Sequence, residues 1–125
     1  MGELVMAKVK RTERGWAAHF IMADKCGFRR NTLLESPTDS VIISTVGAMF
    51  INGQPKEIGL DRHYETMVFK AKMDGPYLDI DVAEEIMFDS PGAINHITPD
   101  VDNKANDMHE AVVAEFERKM KKGRL

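Results

Sequence analysis

The residues with most chemical capacity are crowded between Gly15 and Glu35, in GWAAHFIMADKCGFRRNTLLE. This stretch holds the one tryptophan, Trp16, the one cysteine, Cys26, one of the four histidines, His19, and the adjacent pair Arg29-Arg30. Arginine offers fixed, bidentate donors suited to phosphate or carboxylate. Neighbours on a strand point to opposite faces, so one arginine of the pair can bind within the protein while the other meets a ligand or solvent. Elsewhere, Trp16, Phe28, Tyr64, Phe69 and Phe88 supply stacking surfaces, Arg62 and Arg118 further phosphate donors, and Asn31 and Asn95 partners for a base edge. Together these suit a purine nucleotide, whose base stacks on aromatic planes while arginine neutralises phosphate.

The case for catalysis is thinner. Cys26 could be a nucleophile with His19 or His63 as base, but a free cysteine beside a turn glycine reads first as a small apolar filler. His63-Tyr64-Glu65 opens like a zinc deaminase signature and lacks the Pro-Cys-x-x-Cys that must follow. His109-Glu110 lacks the second histidine of a zinc-protease helix, and no histidine spacing suggests a metal site. Asp79 and Asp81 share a strand face and could do acid–base work, although such alternation more often marks a solvated face. Neither GxGxxG nor GxxxxGK occurs. The basic run from Arg118 through Lys122 to Arg124 reads as a solvated helix end, or alternatively as a source of cations for an anionic ligand. We therefore expect binding, with no catalytic residue, no metal and no cofactor.

With 125 residues the chain should form a single domain, 1–125, around one core. A net charge of −3 argues against a broad basic surface for DNA or RNA. One cysteine cannot close an internal disulfide, and neither a secretory signal nor a membrane-length apolar run is seen, so a cytoplasmic protein is expected.

The elements that must position these residues read as strands over 3–98 and a helix over about 103–122. An edge strand is expected over 3–10, a polar turn from Thr12 to Gly15, and a strand–turn–strand from Trp16 to Met22 and Phe28 to Leu34. VIISTVGAMF, residues 41–50, is the most β-branched run and the best central strand. Gly47 within it marks a bulge or close backbone approach. Asn52-Gly53 signals a hairpin, followed by strands over 62–72, 77–82 and 84–88. Met108, Val112, Phe116 and Met120 then recur at helical spacing, with Asp102 or Asn103 as N-cap and Gly123 as stop. The expected fold is α+β: an antiparallel sheet or half-barrel with one C-terminal amphipathic helix. That helix has more apolar width than one sheet face is expected to cover, which together with nine methionines suits a homo-oligomer.

Several runs, taken together, resemble one family. GWAAHF, FRRNTLLE, STVG, RHYETMVF, DGPY with the following spaced D and DV, FDSPGAIN and NKANDMHEAVVAE are similar to the small phage-encoded Thoeris anti-defence sponges of the first described type, over about residues 14–120. The resemblance implies a phage protein that sequesters, without cleaving, the cyclic ADP-ribose isomers of bacterial Thoeris immunity in the host cytoplasm. It also implies a second capacity for the cyclic oligonucleotides of CBASS, such as cyclic trinucleotides, and a hexamer assembled from dimers with pockets between subunits. By residue type, the resemblance makes Phe88 and Asn95 candidates for adenine and Arg29, Arg30 and Arg62 for phosphate. Trp16 and Asn31 are further ligand candidates, with Arg118 or Lys122 reaching in from a neighbour. The competing readings are a small nucleotide hydrolase using His63, Glu65 or Asp79/Asp81, and a protein-binding inhibitor of a defence complex.

Overall fold

The β-branched run lies at the centre of the sheet. The computed structural model describes residues 6–15 and 18–125. Its strands are β1 (Lys10–Glu13), β2 (Cys26–Glu35), β3 (Ser40–Ile51), β4 (Gln54–Lys56), β5 (Tyr64–Asp74), β6 (Tyr77–Ile86) and β7 (Ala93–Ile94), followed by the helix α1 (Val101–Lys121). The strands form one antiparallel sheet in the order β1-β2-β3-β5-β6, with β4 paired to β3 and β7 to β5. The sheet stays open, so the α+β expectation holds in its sheet form and not as a half-barrel.

β3 is covered on both faces, which is why its sequence is apolar without alternation. On one face Leu34, Val41, Ile43 and Val68 pack against Val112, Val113, Phe116 and Met120 of α1. Further along, Tyr64 and Ala48 meet Val101, Ala105 and Met108. On the other face Leu33, Ile42, Phe69 and Ile80 form a smaller cluster. Each valine, leucine, isoleucine, phenylalanine or methionine among these contributes about 1.5–3 kcal/mol of burial. The turn Asn52-Gly53 closes β3 onto β4 with both residues at positive φ, 52° and 76°, as expected of a two-residue hairpin.

Four expectations are corrected. Residues 6–9 are not a strand: pairing begins at Lys10 and runs through the anticipated turn to Glu13. The strand over 16–22 is absent from its described part. Residues 18–22 form an irregular segment and Ala23–Lys25 a short 3-10 turn, because His19 spends its polar groups on Ser44 and Glu65 rather than on a ladder. Residues 77–82 and 84–86 are not separate strands but one, β6, whose register slips between Phe69 and Ala71 of β5, and Met87 and Phe88 lie beyond its end. The helix starts at Val101 behind an Asp100 N-cap position. Asp102 is taken instead by the Tyr64 hydroxyl, which donates to its Oδ1 at 2.6 Å.

Candidate ligand cleft

β5 pairs with β7 through Tyr64 and Glu65, and with the end of β6 through Val68 and Phe69. Between those pairings the chain from Met87 to Gly92 leaves the sheet, and two cavities open beside it. The smaller, 300 Å³, is lined by the apolar Met67, Met87 and Phe88 together with Arg62, Glu65 and Glu85. The larger, 560 Å³, lies at the C-terminal end of α1 and is lined by Asp89, Glu115, Arg118, Lys119, Lys122 and Arg124. Ser90 lines both. Each volume falls within the range of small-molecule sites.

The turn that separates them is locked from below. Glu115 is 5% exposed, and its carboxylate accepts the Asp89 N–H at 3.0 Å, the Ser90 N–H at 2.9 Å, the Ser90 hydroxyl at 2.7 Å and the Lys119 ammonium at 2.7 Å. Burial opposes its charge, but these donors outweigh burial and bring its pKa down to about 2. Gly92 carries the other end: its carbonyl accepts the Thr66 N–H at 2.9 Å. A Cβ there would stand 2.7 Å from the Phe88 ring, so only glycine fits. Phe88 in turn meets Phe116 edge-on, with centroids 6.5 Å apart. Replacing Glu115 by Ala leaves at least two backbone N–H groups without an acceptor. This should cost about 2 kcal/mol in urea unfolding, with Glu115→Gln losing visibly less.

Lys119 is committed to Glu115 and the Phe116 ring. Arg118, Lys122 and Arg124 enter no ion pair with a described residue, so the larger cavity offers three cations against the one carboxylate of Asp89. The smaller cavity joins an aromatic ring and two thioethers to one arginine and the carboxylates of Glu65 and Glu85, so it carries no excess of cations. One end thus suits a base or other flat apolar group, and the other suits phosphate.

Of the anticipated ligand residues, the structure brings Arg62 and Phe88 to one cavity and Arg118 and Lys122 to the other. Asn95 is exposed just past β7 and lines neither. Arg29 and Arg30 diverge as strand alternation requires. Arg29 is exposed, whereas Arg30 faces α1 and reaches Glu13 at 2.9 Å, Glu110 at 2.7 Å and Asn106 at 2.8 Å. Asn31 is fully buried and accepts from Arg14 Nε at 3.1 Å; the Arg14 Nη1 also donates to the Leu78 carbonyl. Trp16 lies outside the described residues.

Two polar constellations escaped the sequence reading. In the first, His109 is fully buried in α1, with Nε2 2.7 Å from the Thr32 hydroxyl and Nδ1 2.6 Å from that of Thr45, itself 2.6 Å from Thr66. Thr32 also contacts the Glu13 carboxylate at 2.9 Å. Arg11 and Arg30 already fill the carboxylates of Glu13 and Glu110, so the grouping of Glu13, His109 and Glu110 is an ion-pair network with its charge met. The signal was present in three threonines at core-facing positions of adjacent strands.

In the second constellation, His19 Nε2 lies 2.9 Å from Glu65 and Nδ1 2.8 Å from Ser44, whose oxygen also accepts the His19 N–H at 3.2 Å. The composition is that of a hydrolytic triad. Ser44, however, has no exposed surface, so its hydroxyl fastens the segment and no substrate can reach it. The hydrogen bond from His19, ahead of the contact with Arg62, holds the Glu65 carboxyl below its usual range. Asp79 and Asp81 accept the nearby N–H groups of Ile80 and Ala83. Cys26 is half-buried, and burial pushes its thiol up, away from the reactive thiolate.

In comparisons with known proteins, no family model, no curated protein and no solved structure matches the chain. No helix among the described residues is long and apolar enough to cross a membrane.

Proposed function

We propose that the protein binds a nucleotide-type anion across this cleft and holds it without cleaving it, as a sponge for cyclic ADP-ribose-type signals of Thoeris immunity. The observation that carries the reading is the pair of cavities flanking Ser90, one aromatic and thioether-lined, the other cationic. A base on Phe88 and a pyrophosphate among Arg118, Lys122 and Arg124 would span them. The resemblance to the phage sponge family supplies the ligand class and, with it, an infected bacterium's cytoplasm as the place of action. It extends to cyclic trinucleotides as a further ligand and to a dimer-based hexamer. Met87, 78% exposed at the rim of the cleft, suits burial against a second subunit.

The test is calorimetric titration with cyclic ADP-ribose isomers and cyclic trinucleotides, followed by heat release and chromatography of the ligand. Tight binding with the ligand recovered unaltered is expected. A changed product would support the hydrolase reading instead, and failure of every ligand would leave a protein partner as the target. Phe88→Leu is a cleaner probe than Phe88→Ala, which would also open a void against Phe116. The leucine keeps the bulk and removes the stacking face, so affinity should fall about tenfold or more with the fold and assembly retained.

A further inference from the structure

We propose that Glu65 is a positioning residue for the cleft: it aims Arg62 at the ligand and places that arginine under the control of His19. The proposal rests on reading the cleft as a nucleotide site. The two oxygens of Glu65 have separate tasks. Oε2 accepts Arg62 Nη1 at 2.7 Å, while Oε1 meets His19 Nε2 at 2.9 Å. Arg62 Nε reaches the Leu60 carbonyl at 3.3 Å. With two of its donor groups held, the guanidinium is fixed and Nη2 remains to donate to an acceptor atom of the base bound beside Phe88.

An exposed arginine–glutamate pair three residues apart would ordinarily leave both side chains mobile. Here the carboxylate is anchored from behind. The His19 side chain is 4% exposed, its other nitrogen is tied to buried Ser44, and its ring leans on Phe69 with centroids 6.1 Å apart. Glu65 therefore cannot swing away, and the order of Arg62 depends on a residue that does not line the cavity. Preorganisation of this kind raises affinity by reducing the freedom lost on binding.

The test has a part that needs no ligand. In the full-length protein, the Arg62 Nη1–H, which donates to Glu65, should give a discrete NMR signal, separate from those of free arginines. It should collapse to the free position in Glu65→Ala and also in His19→Phe, which keeps a ring against Phe69 but cannot bond Glu65. Glu65→Gln, which retains an acceptor, should preserve most of the signal and serves where Glu65→Ala fails to fold. In titrations with cyclic ADP-ribose, Arg62→Ala should weaken binding about tenfold. Adding Glu65→Ala to it should then weaken binding no further, because a residue acting only through Arg62 has nothing left to act on. An unchanged Arg62 signal in His19→Phe, or additive losses in the double variant, would overturn the proposal. If the signals behave as expected while the wild type binds no nucleotide, the positioning stands and it is the nucleotide reading that falls.

Discussion

Acidification from pH 7 to about 4 is expected to cost the fold about 3 kcal/mol through one residue, His109. Its place in the hydrogen-bond chain fixes its proton. The Glu13 carboxylate can only accept, so the Thr32 hydroxyl donates to it and its oxygen takes the His109 Nε2–H. Nδ1 is then an acceptor for the Thr45 hydroxyl, and Thr45 accepts from Thr66. Every member is satisfied while the imidazole is neutral. A second proton would reverse Thr45 and Thr66 and bury a charge beside Arg30 and Arg11, with Glu13 and Glu110 offsetting only part. Burial, followed by the Arg30 charge, accordingly lowers the His109 pKa from 6.5 to about 4. The unfolded chain takes up this proton below pH 6.5 and the folded protein does not. The stabilisation is therefore complete above pH 6.5, declines as pH falls, and is gone near pH 4. Below about 4.5 a separate loss begins, since Glu110 and Glu115 are both held at about 2. Urea unfolding across this range should show the slope, and His109→Gln, which cannot titrate, should flatten its upper part. Equal slopes in the two proteins would refute this account.

The fold was legible where local pattern and tertiary demand agree. The β-branched run from Val41 could only be a doubly covered strand, and Met108, Val112, Phe116 and Met120 could only be one helix face. The Trp16–Met22 stretch misled because its apolar residues look like a strand, while its fate is decided by a partner far away in sequence, Ser44 on β3. The site was half legible for the same reason. Arg62, Phe88, Arg118 and Lys122 were chosen by type, and they fall two to each of the cavities on either side of Ser90 because the 87–92 segment swings out of the sheet beside the end of α1. Nothing in the sequence marks Glu115 as the clamp of that turn. Its carboxylate looks like any helix-surface glutamate until the turn's N–H groups are seen to lie above it. Likewise Arg30 has the chemistry of a phosphate donor, and only its strand parity, read together with Glu110 on α1, shows that it faces inward.

The larger structural effect should come from the smallest substitution, Gly47→Ala. A Cβ at this position would stand 2.2 Å from Cδ2 and 2.5 Å from Cγ of the Tyr64 ring, its cross-strand neighbour on β5. The close approach anticipated at this glycine is thus an aromatic ring laid flat over bare backbone. The ring has nowhere to go. It is 1% exposed and meets Phe28 edge-on at 5.8 Å, and its hydroxyl is bonded to Asp102 in the first turn of α1. Relief requires either that β3 and β5 separate or that the ring leaves Val101, Ala105 and Met108 and surrenders its buried hydrogen bond. Overpacking with loss of that bond should cost about 3 kcal/mol or more, several times the effect of an alanine at an exposed turn glycine such as Gly15, where a Cβ would meet nothing within 4 Å. Hydrogen exchange should show the loss first at the N-terminal turns of α1, which the tyrosine anchors. Tyr64→Ala will itself be destabilising, but the same methyl then has room. The double variant should consequently be markedly more stable than the sum of the two single losses predicts. Strict additivity would mean that the glycine is needed for something other than the tyrosine ring.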